Sequence, residues 1–518
     1  MTTKSVLTIL SSICVLAGIS CAGASSSQQQ ITTETKPLVR SAVSRTLTIL
    51  HTNDMHASFI PHEAVWMKET PKPLVGGMKE LEFRVDSIRK LNSNVLLFDG
   101  GDVMTGNPIS DILYKGAEGG ALYEMMNMLR YDAAALGNHE FDISQENAAR
   151  LLKVANFPIL SANLVNTKNE FPVNNRDYVI LERGGLRIGV FGLMLQGLAG
   201  VVNQQNIAGI KVLSPEATAQ KIIDKIDAET DLIIAATHIG IEGDTVLAAN
   251  VRGLDIIVGG HSHTRLQKPR VVNGVVIVQA GARCENLGVL EITVEDDKVV
   301  KHDGKLIQLW ASKERPRTTL SVFVDSINTE IEKTFDEVLG ELRYDWERGR
   351  GESNIGNFLA DAQRAAAQAD VAFMNTNGIR ANVGAGPLTR RELFEVLPFR
   401  NVLVTFQLSG KQLKDAVLYG LQAGDPLQTS GMRGTWRKKP NGSAEFVTLE
   451  VGGKPVDDKK MYVCVASDFM VGQGKKYFGM DVPTPTISRQ TLFEAIATEV
   501  RKAKVIATKI EGRLTLIN

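Results

Sequence analysis

The stretch TLTILHTNDMH, Thr46 to His56, decides the architecture. A short apolar run rich in β-favouring residues passes directly into a polar exit, the pattern of a buried strand that delivers side chains to a sheet edge. The same design recurs in NVLLFDGGD (Asn94 to Asp102), YDAAALGNHE (Tyr131 to Glu140), DLIIAATHIG (Asp231 to Gly240) and DIIVGGHSHT (Asp255 to Thr264). Helical stretches are expected between these strands, among them Gly77 to Leu91 and Ala117 to Leu129. Alternation of strand and helix gives an α/β layered domain. VVNGVVIVQAG and LGVLEITVEDDKVV add further strands with turn signals between them.

Open α/β sheets bind ligands beyond the carboxyl ends of their strands. Asp54, His56, Asp102, Asn138, His139, His238, His261 and His263 all fall just past such an end. Five of the eight histidines in the chain sit there, which scattered core histidines would not do. Asp54, His56, Asp102, Asn138, His238, His261 and His263 form a set of oxygen and nitrogen donors too large for one ion. They fit two divalent ions sharing one carboxylate, with positions left for water and substrate. No cysteine belongs to the set, which argues against a structural zinc site or an iron–sulfur cluster. Zinc, manganese, iron and cobalt all suit these donors.

Outward from this core, 518 residues are enough for two or three domains. Lys plus Arg equals Asp plus Glu, 58 each, so the balance of charge gives no reason to expect a nucleic-acid partner. No obligate protein partner is implied. At the start, Lys4 precedes an apolar run, Ser5 to Ser20, and the small-residue pattern Ala22-Gly23-Ala24. This is the build of a signal peptide, residues 1–24, and implies an exported protein, periplasmic, cell-surface or secreted. Cys21 is an alternative lipidation site. Residues 25–44 read as a flexible lead-in, 45–317 as the first domain, 318–340 as a connecting helix and 341–518 as a second α/β domain. Cys284 and Cys464 fall in different domains and read as buried free thiols.

In the second domain a helix is expected around Ile355. ADVAFMNTNGIRANVGAG reads as a strand followed by a Gly/Asn-rich turn that exposes Arg380, a suitable clamp for phosphate or carboxylate.

Asp54-x-His56, Gly101-Asp102, Gly137-Asn138-His139-Glu140, Thr237-His238 and Gly260-His261-x-His263 together resemble the signature of calcineurin-like metallophosphoesterases. The words HTNDMH, GGDVMTG and GNHEFD narrow the resemblance to the 5'-nucleotidase family, over nearly all of the chain beyond the leader. The resemblance implies a four-layer α/β/β/α phosphoesterase domain followed by an α/β 5'-nucleotidase substrate-binding domain. It implies two metals, one held by Asp54, His56, Asp102 and His263 and the other by Asp102, Asn138, His238 and His261. His139 and Asp142 would be the catalytic dyad. Asn375 to Arg380 resembles the family stretch whose Asn and Arg bind substrate. Phe399 matches the phenylalanine that stacks on the base, and Tyr477 best matches the aromatic on its other face. A further substrate arginine is expected at Arg348 or Arg350. The aspartate of the family stretch is missing and Lys475 stands near its place; the pair Lys475 and Lys476 either favours a more anionic substrate or faces solvent. The implied activity is hydrolysis of a nucleoside 5'-monophosphate. The alternatives are a phosphodiesterase on UDP-sugars or cyclic nucleotides, or a phosphatase on another ester.

Overall fold

The computed structural model describes residues 44–517 except 169 and 174. The leader 1–24, Cys21 and nearly all of the lead-in 25–44 lie outside the described residues. Among those described, no helix is long and apolar enough to cross a membrane.

Two six-stranded sheets form the centre of the first domain. One runs in the order Lys298–Gln308, Asn286–Glu295, Arg45–Thr52, Val95–Asp99, Ala133–Ala135, Ile159–Leu160. Its last four strands are parallel. The other runs Tyr178–Arg183, Leu186–Met194, Leu232–His238, Ile256–Val258, Val275–Val278, Arg270–Val272, with its four central strands parallel. Leu47, Ile49, Leu96 and Phe98 of the first sheet meet Ile188, Val190, Ile234 and Val258 of the second in one buried layer. Helices Met78–Leu91, Gly120–Leu129 and Gln145–Val154 cover the outer face of the first sheet. Pro215–Ile226 and Gly240–Asn250 cover the outer face of the second. The result is the expected α/β/β/α order, because parallel strands need both faces buried.

The helix expected from Ala117 begins later. Ala117–Glu118 forms a short strand paired with Leu113–Tyr114. Gly119 then turns with φ 78° before the helix starts at Gly120, a left-handed conformation that glycine adopts without penalty.

The helix Thr319–Phe335 opens on a capping box between Thr318 and Ser321. Its Leu320, Val324, Ile327 and Ile331 pack into the core of the first domain. The second domain carries a five-stranded sheet in the order Gln428–Ser430, Val371–Met374, Met461–Ser467, Val402–Ser409, Thr486–Thr491. Ile355, Leu359, Ile496 and Val500 fill one face of it. Leu413, Ala416, Val417 and Phe478 fill the other. Cys284 and Cys464 are both free and buried.

The domains meet through polar contacts. Arg400 pairs with Asp111 and Glu118 at 2.9 Å each. Glu395 accepts from Asn107 at 3.0 Å and pairs with Arg283 at 3.2 Å.

Candidate active site

Glycines let the ends of the two sheets touch. Between the sheets, a Cβ on Gly260 would collide with the carbonyl of Gly100; within the first sheet, one on Gly137 would collide with the backbone of Asp102. The residues expected to ligate metal are delivered by turns in an unusual conformation. Asp54, His56, Asp102, His261 and His263 all have φ between 47° and 76°. Each such non-glycine residue costs on the order of 1–3 kcal/mol, and such strain gathers at functional sites.

The seven expected ligands converge. Asp54, His56 and His263 form one group, and Asp102, His238 and His261 another, with the donor atoms of each within 4.8 Å of one another. Asn138 Oδ1 lies 3.2 Å from His238 Nε2 and 3.0 Å from His261 Nδ1. Asp102 Oδ2 lies 3.0 Å from His238 Nε2. In a third group Asp102 meets His56 and His139, so its carboxylate stands between the two sites.

The surrounding hydrogen bonds fix which atoms are free to ligate. His238 Nδ1 donates to the carbonyl of Gly100 at 2.7 Å, which turns Nε2 to Asp102. His56 Nδ1 faces the carbonyls of Thr105 and Met104 at 3.2 and 3.3 Å, leaving Nε2 2.9 Å from His263 Nε2. Asp54 accepts from Asn53 Nδ2 at 2.6 Å and from the His261 amide at 2.9 Å.

Burial and mutual charge set the protonation. Burial, reinforced by the charge of Asp102, pushes Asp54 up to about 7. Burial would raise Asp102 as well, but His238 and His139 hold it well below the carboxylate range. Burial and Arg380 push His263 down to about 3; burial and His238 push His261 down to about 4. Neutral imidazoles, as at His261 and His263, are the form that binds divalent cations; at His238 the charge of Asp102 outweighs burial and raises the ring to about 10, so a bound ion would take the place of that proton. The donor set therefore fits two such ions.

His139 stands beside both groups. Its Nδ1 lies 2.5 Å from Asp142 Oδ2. Burial opposes protonation of its ring, but Asp142 and Asp102 outweigh that and raise it. Arg380 reaches from the second domain to within 3.5 Å of His139 Nε2 and 3.3 Å of His56 Nε2. Phe399 stacks on the His139 ring, with centroids 5.8 Å apart.

A cavity of about 700 Å³ begins at Asp102, Asn138 and His139 and extends between the domains. Asn375, Arg380, Phe399, Tyr477, Arg348 and Arg350 all line it. The lysines separate: Lys475 pairs with Asp481 in solvent, whereas Lys476 lines the cavity and donates to the Gly200 carbonyl at 2.6 Å.

The calcineurin-like phosphoesterase family matches residues 47–265, and the 5'-nucleotidase C-terminal domain matches residues 334–481. The human 5'-nucleotidase is 30% identical over 532 residues, covering 90% of each chain. This chain belongs to the 5'-nucleotidase family. A 5'-nucleotidase precursor from Thermus thermophilus superposes with a TM-score of 0.80 at 29% identity, covering 91% of this chain and 99% of that one. A trifunctional nucleotide phosphoesterase protein of Bacillus subtilis is 29% identical over 535 residues, and the chain spans only 35% of its length.

The clustered carboxylates and imidazoles of this 5'-nucleotidase family member form a two-metal site suited to phosphate-ester hydrolysis. Several of its supports escape a reading of the sequence. Buried Glu140 accepts from the amides of Val103 at 2.9 Å, Met104 at 3.2 Å and Gly137 at 2.7 Å, bracing both strand exits around Asp102. Asn53 donates to the Gly281 carbonyl and accepts from the Ala280 amide, both at 2.7 Å. Phe469 lines the large cavity beside Tyr477. Glu140 sits inside the GNHE word and Asn53 inside HTNDMH, whereas Phe469 carries no local signal.

Proposed function

We propose that the chain hydrolyses nucleoside 5'-monophosphates to nucleoside and orthophosphate. The observation that carries this reading is the cavity running from Asp102 and His139 to Phe399 and Tyr477. It joins a phosphoryl site to two aromatic rings, and aromatic rings hold any base by its face. Asp54, His56, Asp102 and His263 would hold one ion, and Asp102, Asn138, His238 and His261 the other. Two such ions, when bound, generate a nucleophile from water near neutral pH and withdraw charge from phosphoryl oxygens. The new bond forms between that oxygen and phosphorus, the bond from phosphorus to the ribose oxygen breaks, and the ribose oxygen takes up a proton. His139, oriented through Asp142, presents Nε2 to the phosphoryl group or leaving oxygen. Arg380, with Arg348 or Arg350, would clamp the phosphate, while Asn375, Phe399 and Tyr477 would receive the nucleoside. In this division residues 45–317 carry the chemistry and 341–518 the recognition, joined by a segment whose helix is Thr319–Phe335 and which passes into a strand at Val338.

A panel of nucleoside monophosphates, UDP-sugars, cyclic nucleotides and simple sugar phosphates, run on metal-loaded protein, tests the reading. Preference for a sugar phosphate over every nucleotide would overturn it. Export through residues 1–24 is part of the proposal, and mass spectrometry of native protein checks it.

A further inference from the structure

The metal-binding groups open on two sides. Besides the large cavity there is a separate one of about 240 Å³, bordered by neither Phe399 nor Tyr477. The two share His263, Arg348 and Arg380 as a common wall. Arg265, Arg283, Arg348 and Arg380 all line the smaller cavity, against two carboxylates, Glu285 and Glu395. Those carboxylates are already engaged. Glu285 lies 3.2 Å from His62 Nε2, and Glu395 is shared between Arg283 and Asn107. Arg265 is held by the neutral side chains of Asn286 and Gln308 at 3.0 Å each. Arg348 donates to the Ile379 carbonyl at 3.0 Å. Among the described residues neither Arg265, Arg348 nor Arg380 forms an ion pair. Partial burial, with Arg380 and Arg283 nearby, pushes Arg348 down to about 10. Like charges gathered in one recess repel unless an anion joins them.

The backbone ties this cluster to the metals. Arg283 and Cys284 both adopt positive φ, 57° and 53°, and the Arg283 amide donates to the Asp54 carbonyl at 2.8 Å. A strained turn thus seats the backbone of Arg283 against that of an expected ligand.

We propose that this cavity is a second oxyanion subsite, which receives the orthophosphate produced at the metals. In-line displacement moves phosphorus away from the leaving oxygen and toward the attacking one. Beside His56 and His263, freed phosphate has a cationic recess that the base-stacking rings Phe399 and Tyr477 do not border. Guanidiniums match its oxygens in pairs. The inference rests on phosphoester cleavage and is independent of which base is recognised.

The test uses Arg265→Gln and Arg283→Gln in metal-loaded full chain, with orthophosphate as inhibitor of adenosine 5'-monophosphate hydrolysis. The ratio of the phosphate inhibition constant to the KM for nucleotide is expected to rise about tenfold in each variant, the scale of one charge-assisted hydrogen bond. An inhibition constant that stays fixed, or moves only in step with KM, overturns the proposal. So does a raised KM for a nucleoside diphosphate with unchanged phosphate inhibition, which would assign the cavity to a substrate phosphoryl group. Should Arg283→Gln unfold by leaving Glu395 unpaired, Arg265→Gln decides alone, since its partners are neutral. Calorimetric titration of orthophosphate into the same proteins separates this proposal from the nucleotidase reading. Loss of about tenfold in affinity in Arg265→Gln upholds the subsite even for a chain that cleaves no nucleotide, and equal affinity overturns it.

Discussion

Asp142 Oδ2 binds two groups at once, His139 Nδ1 at 2.5 Å and the Thr105 hydroxyl at 2.7 Å. Asn206 Nδ2 donates to the carbonyls of Phe141 and Asp142 at 3.0 and 2.8 Å, so the carboxylate is held from side chain and backbone alike. The imidazole it orients is thereby fixed before substrate arrives.

From that arrangement His139→Asn is expected to lower kcat by roughly 10²- to 10⁴-fold, the range for a positioned proton-transfer or charge-stabilising group. The loss should appear with a nucleotide and with a phosphate ester lacking a base. Thr105→Val should lower kcat far less, because Asp142 keeps its contact with His139. Steady-state kinetics on both esters measures this, and an unchanged rate in His139→Asn would remove the dyad from the mechanism.

Metal removal is expected to abolish activity and to lower the melting temperature. Stripping the ions removes ligands that bind only the folded chain, through donors that include the buried Asp54 and Asp102. Dialysis against a chelator followed by zinc or manganese, with rate and melting followed together, checks both. Asp102→Ala should be the most damaging ligand change, since its carboxylate stands between the two groups.

How far the sequence was readable depends on the range of each interaction. The ligands were legible because each lies in a short word at the end of an apolar run, and the strand order brings those ends together. Supports that act across the fold were not. Asn53 reaches Gly281, and Arg283 reaches Glu395, and nothing in either neighbourhood names its partner. Lys475 and Lys476 are adjacent in sequence, yet one faces solvent and the other a cavity, a split set by the short helix Gly474–Phe478. The start at Gly120 instead of Ala117 turned on a hairpin too short to show a periodic pattern.

Glu140→Ala is expected to destabilise the first domain without removing a ligand. Three buried amides, those of Val103, Met104 and Gly137, would lose their acceptor, at roughly 1–3 kcal/mol for each left unsatisfied. Denaturant titration should register the loss, and metal affinity should fall as Asp102 loosens. Unaltered stability would show that water replaces the carboxylate.

Stability should also depend on pH through Asp255. Burial, with Asp227 and Asp297 nearby, raises its carboxyl to about 7, although the Ile233 amide donates to it at 2.8 Å. The folded state then holds a proton that the unfolded chain has released above about pH 4. Stability from this group is therefore present at low pH and falls as pH rises from about 4 to 7, by roughly 4 kcal/mol at most. Asp255→Asn keeps an acceptor for Ile233 and removes the titration. Its melting temperature relative to wild type should climb between pH 5 and pH 8; a constant difference would contradict the shift.

Phe399 offers the sharpest separation of recognition from chemistry, and its position makes the experiment more demanding than a base-stacking role alone would. The ring lines the large cavity, where it can stack on a base, and it also packs against His139 at 5.8 Å and under Arg380 at 5.9 Å. Phe399→Ala should then act in two ways. Loss of stacking weakens ground state and transition state alike, so KM for a nucleotide should rise by an amount equivalent to roughly 1–3 kcal/mol, and a phosphate ester without a base should not share that rise. Loss of the contact with His139 frees the imidazole on one side, so kcat should fall modestly on both esters, by much less than in His139→Asn because Asp142 still orients the ring. Phe399→Leu keeps apolar packing against His139 but offers no π-face to a base. It should restore kcat on both esters while leaving KM for the nucleotide high. Recovery of both constants in Phe399→Leu would make the residue a packing element, and the nucleotide reading would then rest on Tyr477 and Phe469 alone.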